Sequence, residues 1–292
     1  MEHIFTVDVE DWYHGFPPEY PITSDRAPRL EQGMNFLLDA LEETGAQATF
    51  FWVGREAEAY PALVRATARR GHEIGCHSYE HRPIFRQSPK EFEADTSKAV
   101  DVITEITGNK VVCYRAPFFS IRNDTSWALE ILASLGITHD SSILPMRHWR
   151  TGMPEANPSI HHIPTSAGTI IEVPVAIRSI LGLKIPASGG GYFRIYPYEL
   201  TKRNIAAFEA KSIPAVFYTH PWEMDEGHPH LPGFGIREMM HYAGLRSARV
   251  KLIKLLRSFS FGPMKKTADL FLAEHQQIEP IPVNISSGGY SL

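Results

Sequence analysis

The 292-residue sequence predicts an α/β fold in which short strands alternate with helices. Apolar, β-branched runs recur along the chain, and the stretches between them carry apolar residues at helical spacing. This alternation is typical of βα units that assemble into a parallel sheet or barrel. The chain length also lies within the range in which an α/β barrel forms one unit. We therefore expect a single domain over residues 1–292.

The predicted strands and helices follow one another in order. The strands are apolar runs of four to six residues at Ile4–Val9, Ala48–Val53, Glu73–Cys76, Val111–Tyr114, Thr169–Val173 and Ala215–Thr219. The helices, most of which are followed by a glycine, are predicted at Leu30–Leu41, Ala62–Arg70, Lys90–Thr107, Asp124–Leu135 and Leu245–Leu256. Asp124 is the expected N-cap of the fourth helix, because its carboxylate can accept bonds from backbone N–H groups.

Residues Pro186–Pro197 interrupt this alternation. Three consecutive glycines precede Tyr192 and Phe193, a pattern that favours a tight loop on the rim of a site. A plain flexible connector is the other interpretation of the same residues.

Composition excludes several classes of partner. The net charge of -4 and the pI near 6.4 give no electrostatic footprint for nucleic acid. Two cysteines, Cys76 and Cys113, are too few for a disulfide framework. The first residues lack the basic and apolar regions of a signal peptide, and no apolar run approaches a membrane span. We therefore expect a cytoplasmic protein.

The helix after Gly244 carries a basic face opposite an apolar one. Its basic residues are Arg246, Arg249, Lys251, Lys254 and Arg257. Such a stripe is usually a packed helix with a solvated face. Peripheral contact with an anionic membrane is the other interpretation.

Ionisable side chains follow the ends of four predicted strands. They are Asp8, Glu10 and Asp11, then His77 and His81, then Arg115, and last His220. The carboxyl ends of parallel strands are where sites assemble in α/β folds. Each group has an ordinary interpretation on its own, such as a turn, a surface ion pair or a core histidine. Together, they predict a functional site at one end of the sheet.

A metal ion is the simplest explanation for the histidine pair. Two histidines at this spacing are weak evidence alone, because chance pairs are frequent in a chain with 14 histidines. Side chains one helical turn apart can nevertheless chelate one metal, and a carboxylate from another strand end would supply a third ligand. Three protein ligands leave a fourth position for water, which is the pattern of catalytic metal sites.

These motifs resemble those of the polysaccharide deacetylase family, which carries the NodB homology domain. Residues Thr6–Asp11 resemble its acidic first motif, and His77–His81 its metal-binding second motif. Arg115–Phe118 resembles the third motif and His220 the last. The resemblance covers about residues 3–225. It implies a distorted (β/α) barrel of the NodB-homology type, with residues 226–292 as a C-terminal extension packed on it.

The resemblance also implies an activity. A family member would be a metal-dependent hydrolase that removes an N-acyl group, most simply acetyl, from an amino sugar. The divalent metal, most simply zinc with cobalt, manganese or nickel as alternatives, would polarise the amide and activate a water. Asp8 would be the general base, held ionised by Arg115. His220 would be the general acid that protonates the leaving amine.

Three aromatic positions complete the implied site. Phe118 matches the family position whose backbone N–H faces the oxyanion. The rings of Phe118, Tyr192 and Trp222 could stack on the sugar, although bare aromatics more often belong to the core or the rim.

The commonest first motif of the family has two adjacent aspartates, so the resemblance alone does not identify the carboxylate that binds the metal. Here Val9 follows Asp8. Successive strand residues alternate faces, so Asp8 and Glu10 share a face and Asp11 takes the other. We therefore predict Glu10 as the ligand beside His77 and His81. Asp11 is the second choice, since a turn after Asp8 would swing it inward.

The later segments narrow the expected substrate. Gly189–Arg194 and Phe259–Met264 resemble the subgroup associated with exopolysaccharide biosynthesis. The expected partner is thus an N-acylated amino sugar in a polysaccharide or a lipid-linked precursor. Two alternatives remain open. One is a metal-dependent amidase acting on a small non-sugar amide, and the other is a non-catalytic carbohydrate-binding relative.

Overall fold

A computed structural model of the protein describes residues 1–16, 27–148, 151–230 and 236–275. Strands and helices alternate through most of this length. The strands are β1 Glu2–Val9, β2 Thr49–Trp52, β3 Glu73–Cys76, β4 Cys113–Tyr114, β5 His139–Asp140, β6 His161–Thr165, β7 Gly168–Glu172, β8 Ile177–Ile180, β9 Leu183–Pro186, β10 Val216–Thr219 and β11 Ser260–Gly262. The helices are α1 Leu30–Thr44, α2 Gly54–Ala59, α3 Pro61–Arg69, α4 Pro89–Thr107, α5 Ala128–Ser134, α6 Gly190–Ile195, α7 Tyr198–Glu209, α8 Ile236–Tyr242, α9 Leu245–Ser258 and α10 Met264–Glu274.

One nine-stranded sheet organises the molecule. Its order is β10-β1-β2-β3-β4-β5-β7-β6, with β11 paired to the beginning of β1. All of its ladders are parallel except the one between β6 and β7. The predicted α/β fold is confirmed, and the antiparallel β6–β7 pair is an addition to the predicted topology.

The sheet curls towards a barrel without a continuous closing ladder in the described ranges. The segment after β7 approaches β10, where the Ala176 N–H donates to the Val216 carbonyl oxygen at 3.2 Å. The Ser188 hydroxyl donates to the same oxygen at 2.7 Å. These bonds hold the segment after β7 and the residues after β9 against the beginning of β10.

Helix ends follow the local sequence. Helix α4 begins with a reciprocal pair of bonds between Ser88 and Glu91, and Pro89 takes the first helical position. Helices α1 and α4 end at Gly45 and Gly108, which adopt the left-handed conformation that glycine tolerates best. Most predicted helix and strand bounds are thereby correct to within a few residues.

Two local predictions are wrong. Helix α5 begins at Ala128 rather than after Asp124, because Asn123–Thr125 forms a separate 3₁₀ turn. The Asp124 carboxylate accepts instead from the Arg122 guanidinium. The predicted loop at Pro186–Pro197 contains helix α6, which Gly189 and Gly190 enter with positive φ angles.

Part of the described chain after residue 225 packs on the sheet, through β11 and α10. Phe261 of β11 contacts the rings of Phe5 and Phe217. Helix α9 buries most of its apolar side chains, although Val250 is exposed. Arg249 and Lys251 donate to backbone carbonyls, and Arg257 pairs with Glu43. Much of the predicted basic face is therefore used within the molecule. None of the helices described is long and apolar enough to cross a membrane.

Candidate active site

The predicted base lies in a buried charge pair at the end of β1. The Arg115 guanidinium donates through Nη1 to Asp8 Oδ1 and to the Thr6 hydroxyl, each at 2.7 Å. Its Nε and Nη2 donate to the carbonyl and hydroxyl oxygens of Ser141. Arg115 is fully buried and Asp8 nearly so. Because Arg115 is buried and held by several hydrogen bonds, its bond to Asp8 holds the carboxylate in one orientation.

Glu10, His77 and His81 converge on one point. Glu10 Oε1 lies 3.0 Å from His77 Nε2 and 2.8 Å from His81 Nε2. All three side chains are buried, and their ligand atoms lie within 4.8 Å of one another. Burial alone would raise the pKa of Glu10, but the imidazoles of His81 and His220 lower it well below its usual value. Glu10 therefore carries a negative charge although its side chain is buried.

The hydrogen bond on the far side of His77 indicates what this site suits. His77 Nδ1–H donates to the Arg115 carbonyl oxygen at 2.7 Å. In a neutral imidazole this leaves Nε2 as a lone pair that faces the Glu10 carboxylate. Either a proton on Nε2 or a metal cation between the two atoms would satisfy both. Two imidazole nitrogens and one carboxylate form a donor set that fits a divalent metal such as zinc.

Asp11 lies away from this cluster. Its carboxylate accepts from the backbone N–H groups of Trp12 and Arg29, each at 2.7 Å, and of Leu30 at 3.2 Å. The side chain thus fixes the 3₁₀ turn Trp12–Gly15 and the start of α1. Asp11 is absent from the groups in the described ranges that could hold a metal. A second such group consists of Asp8, Glu10 and His220.

His220 faces Asp8 from the end of β10. Its Nε2 lies 3.9 Å from Asp8 Oδ2, and its Nδ1 is 3.0 Å from Glu223 Oε2. Glu223 in turn accepts from Arg194 Nε at 2.6 Å. Burial alone would lower the pKa of His220, but the carboxylates of Glu10 and Glu223 outweigh it and raise this pKa to about 9. The imidazole is therefore protonated at neutral pH.

Strained backbone is concentrated around these residues. Six non-glycine residues described have positive φ angles, and four of them are Ser78, His81, Phe118 and Phe119. Such conformations cost roughly 1–3 kcal/mol each and persist where surrounding structure enforces them. The Phe118 ring lies 4.9 Å from the His81 ring. The strain thus accompanies the two loops that face Glu10.

The site opens into a cavity of about 560 Å³. Of the predicted residues, the cavity is lined by Asp8, Glu10, Phe118, Tyr192, His220 and Trp222. Tyr192 stands on α6. Trp222 is only 7% exposed and stacks on the rings of His220 and His241. Its main contact is therefore with these imidazoles, which limits the ring area left for a sugar.

Sequence reasoning missed several residues of the site. His14 lines the cavity, and its ring lies 4.9 Å from that of His81. Thr6 was detectable, because it shares the strand face of Asp8. Glu223 was detectable too, as an acid three residues after His220 in a helical turn. Arg194 and Ser141 arrive from distant segments and left no local signal.

Two family models match the chain. The polysaccharide deacetylase family matches residues 18–139, and a domain of unknown function (DUF3473) matches residues 141–269. Residues 18–139 are thus similar to a polysaccharide deacetylase domain. The deacetylase match includes His77, His81 and Arg115, whereas His220 falls in the second match. Asp8 and Glu10 precede both, and the fold brings them to the same site.

Curated relatives of the deacetylase domain act on different polymers. The chain is 32% identical to a peptidoglycan-N-acetylglucosamine deacetylase of Bacillus cereus over 42% of its own length and 46% of the relative. It is 34% identical to a chitooligosaccharide deacetylase of Azorhizobium caulinodans over 32% of its own length and 42% of the relative. The chain thus spans less than half the length of these relatives.

A solved structure shares the fold over the whole chain. It is a candidate polysaccharide deacetylase from Mycobacterium smegmatis, with a TM-score of 0.67 and 19% identity. The alignment covers 100% of this chain and 96% of that structure. The shared fold therefore extends through the residues that match DUF3473.

Proposed function

We propose that the protein is a metal-dependent hydrolase that removes an N-acyl group, most simply acetyl, from an amino sugar. The observation that carries this proposal is the convergence of Asp8, Glu10 and His220 on one cavity, with Arg115 behind Asp8. The named relatives support the same class of enzyme, because both are carbohydrate deacetylases.

Glu10, His77 and His81 would hold the metal, and zinc suits their donor atoms best. When bound, the metal would supply Lewis-acid polarisation of the amide carbonyl and lower the pKa of a water. The His77 bond to the Arg115 carbonyl oxygen orients the ring, and the buried carboxylate of Glu10 supplies the negative charge.

Asp8 and His220 divide the proton transfers. Asp8, oriented by Arg115, takes a proton from the attacking water. His220 is held protonated by the carboxylates of Glu10 and Glu223 and gives a proton to the leaving amine, which must not depart as an anion. The 3.9 Å between Asp8 Oδ2 and His220 Nε2 lets both groups reach one reacting centre.

The finer expectations remain proposals. The substrate is proposed to be an N-acylated amino sugar of a polysaccharide, with a lipid-linked precursor of exopolysaccharide as its specific form. Peptidoglycan and chitooligosaccharides, the substrates in the relatives' names, are the alternatives to test beside it. The cytoplasmic location stays a prediction.

A substrate panel tests the activity. Purified protein is given N-acetylated glucosamine oligomers, peptidoglycan fragments, lipid-linked saccharides and small cyclic amides, and released acid is measured. We expect release from amino sugars, loss on chelation, and recovery with zinc or cobalt. Release only from the cyclic amides would favour the amidase. Binding of sugars without release of acid, whichever metal is added, would favour the non-catalytic carbohydrate-binding relative.

A further inference from the structure

An apolar hairpin tip projects beside the cavity. Strands β8 and β9 pair only with each other among the residues described, as a separate two-stranded sheet. At its end Leu181 is 99% exposed, Leu183 is 71% exposed and Ile180 is 39% exposed. Three of the four residues 180–183 thus expose large apolar side chains to water, which is unfavourable. Exposed apolar patches of this kind mark interaction sites.

The backbone of the turn is strained at a residue that other residues could replace with less strain. Leu181 and Gly182 both have positive φ angles, of 51° and 81°. Two-residue hairpin turns favour asparagine, aspartate or glycine at such positions. A leucine there is strained and gains no packing in exchange. The side chain therefore suits contact with something outside this chain.

The hairpin is part of the cavity wall. Its base residues Ile177 and Pro186 line the cavity, as do Leu144 and Val175 further inside. On another wall Met240 lines the cavity while remaining 44% exposed. The Ile180–Leu183 pair lies three positions from the Ile177–Pro186 pair and on the opposite face of the hairpin. The tip therefore adjoins the cavity wall without lining the cavity.

The charge of the hairpin is positive. Residues 177–186 contain Arg178 and Lys184 and no acidic residue. Arg178 donates to the Asn204 side-chain oxygen, and Lys184 to the Pro154 carbonyl oxygen, both of them neutral acceptors. An apolar tip flanked by cations matches the interface of an anionic bilayer, where apolar side chains enter and cations face the headgroups.

A second copy of the chain fits the tip less well. Standard protein interfaces bury about 800 Å² per partner across about 20–30 residues. Three side chains on a narrow turn offer far less than that. A fluid bilayer needs no complementary surface, so a small convex tip is sufficient for it.

We propose that the tip formed by Ile180, Leu181 and Leu183 inserts into the interface of an anionic lipid bilayer and holds the cavity mouth against the membrane. The contact itself stands without the proposed function. Its consequence rests on that function, since a saccharide attached to a membrane lipid would then reach the site without leaving the bilayer.

Vesicle sedimentation of the full chain tests the contact. The probes are vesicles of phosphatidylcholine with and without phosphatidylglycerol. We expect binding to the anionic vesicles that weakens with salt, and roughly tenfold weaker binding for Leu181→Asp. Aspartate tolerates positive φ better than leucine, so this variant should fold. Leu270→Asp is the matched control, because Leu270 is 54% exposed on α10, outside the hairpin. This control variant should bind the vesicles as the parent protein does.

Three results would overturn the proposal. They are no binding by the parent protein, equal loss in the Leu270 control, and a dimer in sedimentation velocity that Leu181→Asp dissociates without any vesicle binding. Deacetylation of a soluble N-acetylated oligosaccharide is measured in parallel and should be unchanged by Leu181→Asp. Vesicle binding without any deacetylation would reject the proposed function and leave the membrane contact intact.

Discussion

Glu10 and Asp11 are adjacent in sequence and have different surroundings. Glu10 faces His77 and His81, while the Asp11 carboxylate accepts three backbone N–H bonds. Glu10→Gln should lower zinc affinity by roughly 100-fold or more, since even supporting residues of metal sites cost 10–100-fold. Asp11→Asn should keep zinc affinity and lose about 1–3 kcal/mol of stability. Zinc titration of the metal-free protein and urea unfolding measure the two effects. The reverse pattern would make Asp11 the ligand.

Glu223 is expected to set the alkaline limit of activity. A general acid must be protonated, so kcat/KM should fall as pH rises through the His220 pKa of about 9. Glu223→Gln removes an anion that stabilises the imidazolium, so this fall should move to lower pH. A pH–rate profile measures the shift. Asp225→Asn is the control, because Asp225 pairs with Arg29. If the alkaline limit of kcat/KM is the same in Glu223→Gln as in the parent, Glu223 does not control the protonation of His220.

The placement of residues could be predicted from the sequence where a strand keeps its period. Strand β1 stays regular to Val9, so alternation placed Asp8 and Glu10 on one face. The Arg194–Glu223 pair had no such signal, because its partners are 29 residues apart on different elements. For Trp222 the sequence left open a sugar contact or a place in the core or rim, and the structure stacks its ring on His220 and His241.

At the scale of elements, α1 positions the loop that carries His220. A Cβ atom on Gly33 would lie 1.9 Å from the Pro221 carbonyl oxygen. Gly33→Ala should therefore push α1 and this loop apart, costing about 1–3 kcal/mol and lowering kcat. Thermal unfolding and steady-state kinetics measure both losses. Asn35→Ala, on the exposed face of α1, should change neither. Parent-like activity and stability in Gly33→Ala would show that the contact is not needed.

Element prediction succeeded where the signal was local. Glycines that follow apolar stripes ended the helices α1, α3 and α4 as expected. Helix α6 was missed, because three glycines favour a loop by propensity while tertiary contacts decide otherwise. Its entry residues Gly189 and Gly190 pack against Tyr218, where a Cβ atom would come within 2.2 Å of the ring and 2.7 Å of the hydroxyl oxygen, respectively. That contact spans the sheet and cannot be read from either segment.

At the scale of the whole molecule, we propose one cooperative unit. The sheet crosses the boundary between the two family matches, because β5 at the end of the first match pairs with β7 in the second. Strand β1, which precedes both matches, pairs with β2 in the first and β10 in the second. Far-UV circular dichroism and tryptophan fluorescence should therefore report the same urea transition. Ile170→Ala, in the buried part of β7, should move both probes equally, by about 2–5 kcal/mol. Separate transitions would indicate two domains.

The central place of β1 also affects how the chain is synthesised. Thr6 bonds to Phe217, 211 residues later, and Phe261 packs on Phe5 later still. At about 5–20 residues per second, a ribosome needs roughly 10–40 s to supply the first of these partners. During that time one edge of a strand rich in Ile, Phe and Val stays uncovered. Nascent chains shorter than about 216 residues are therefore natural clients for a chaperone that binds extended apolar segments.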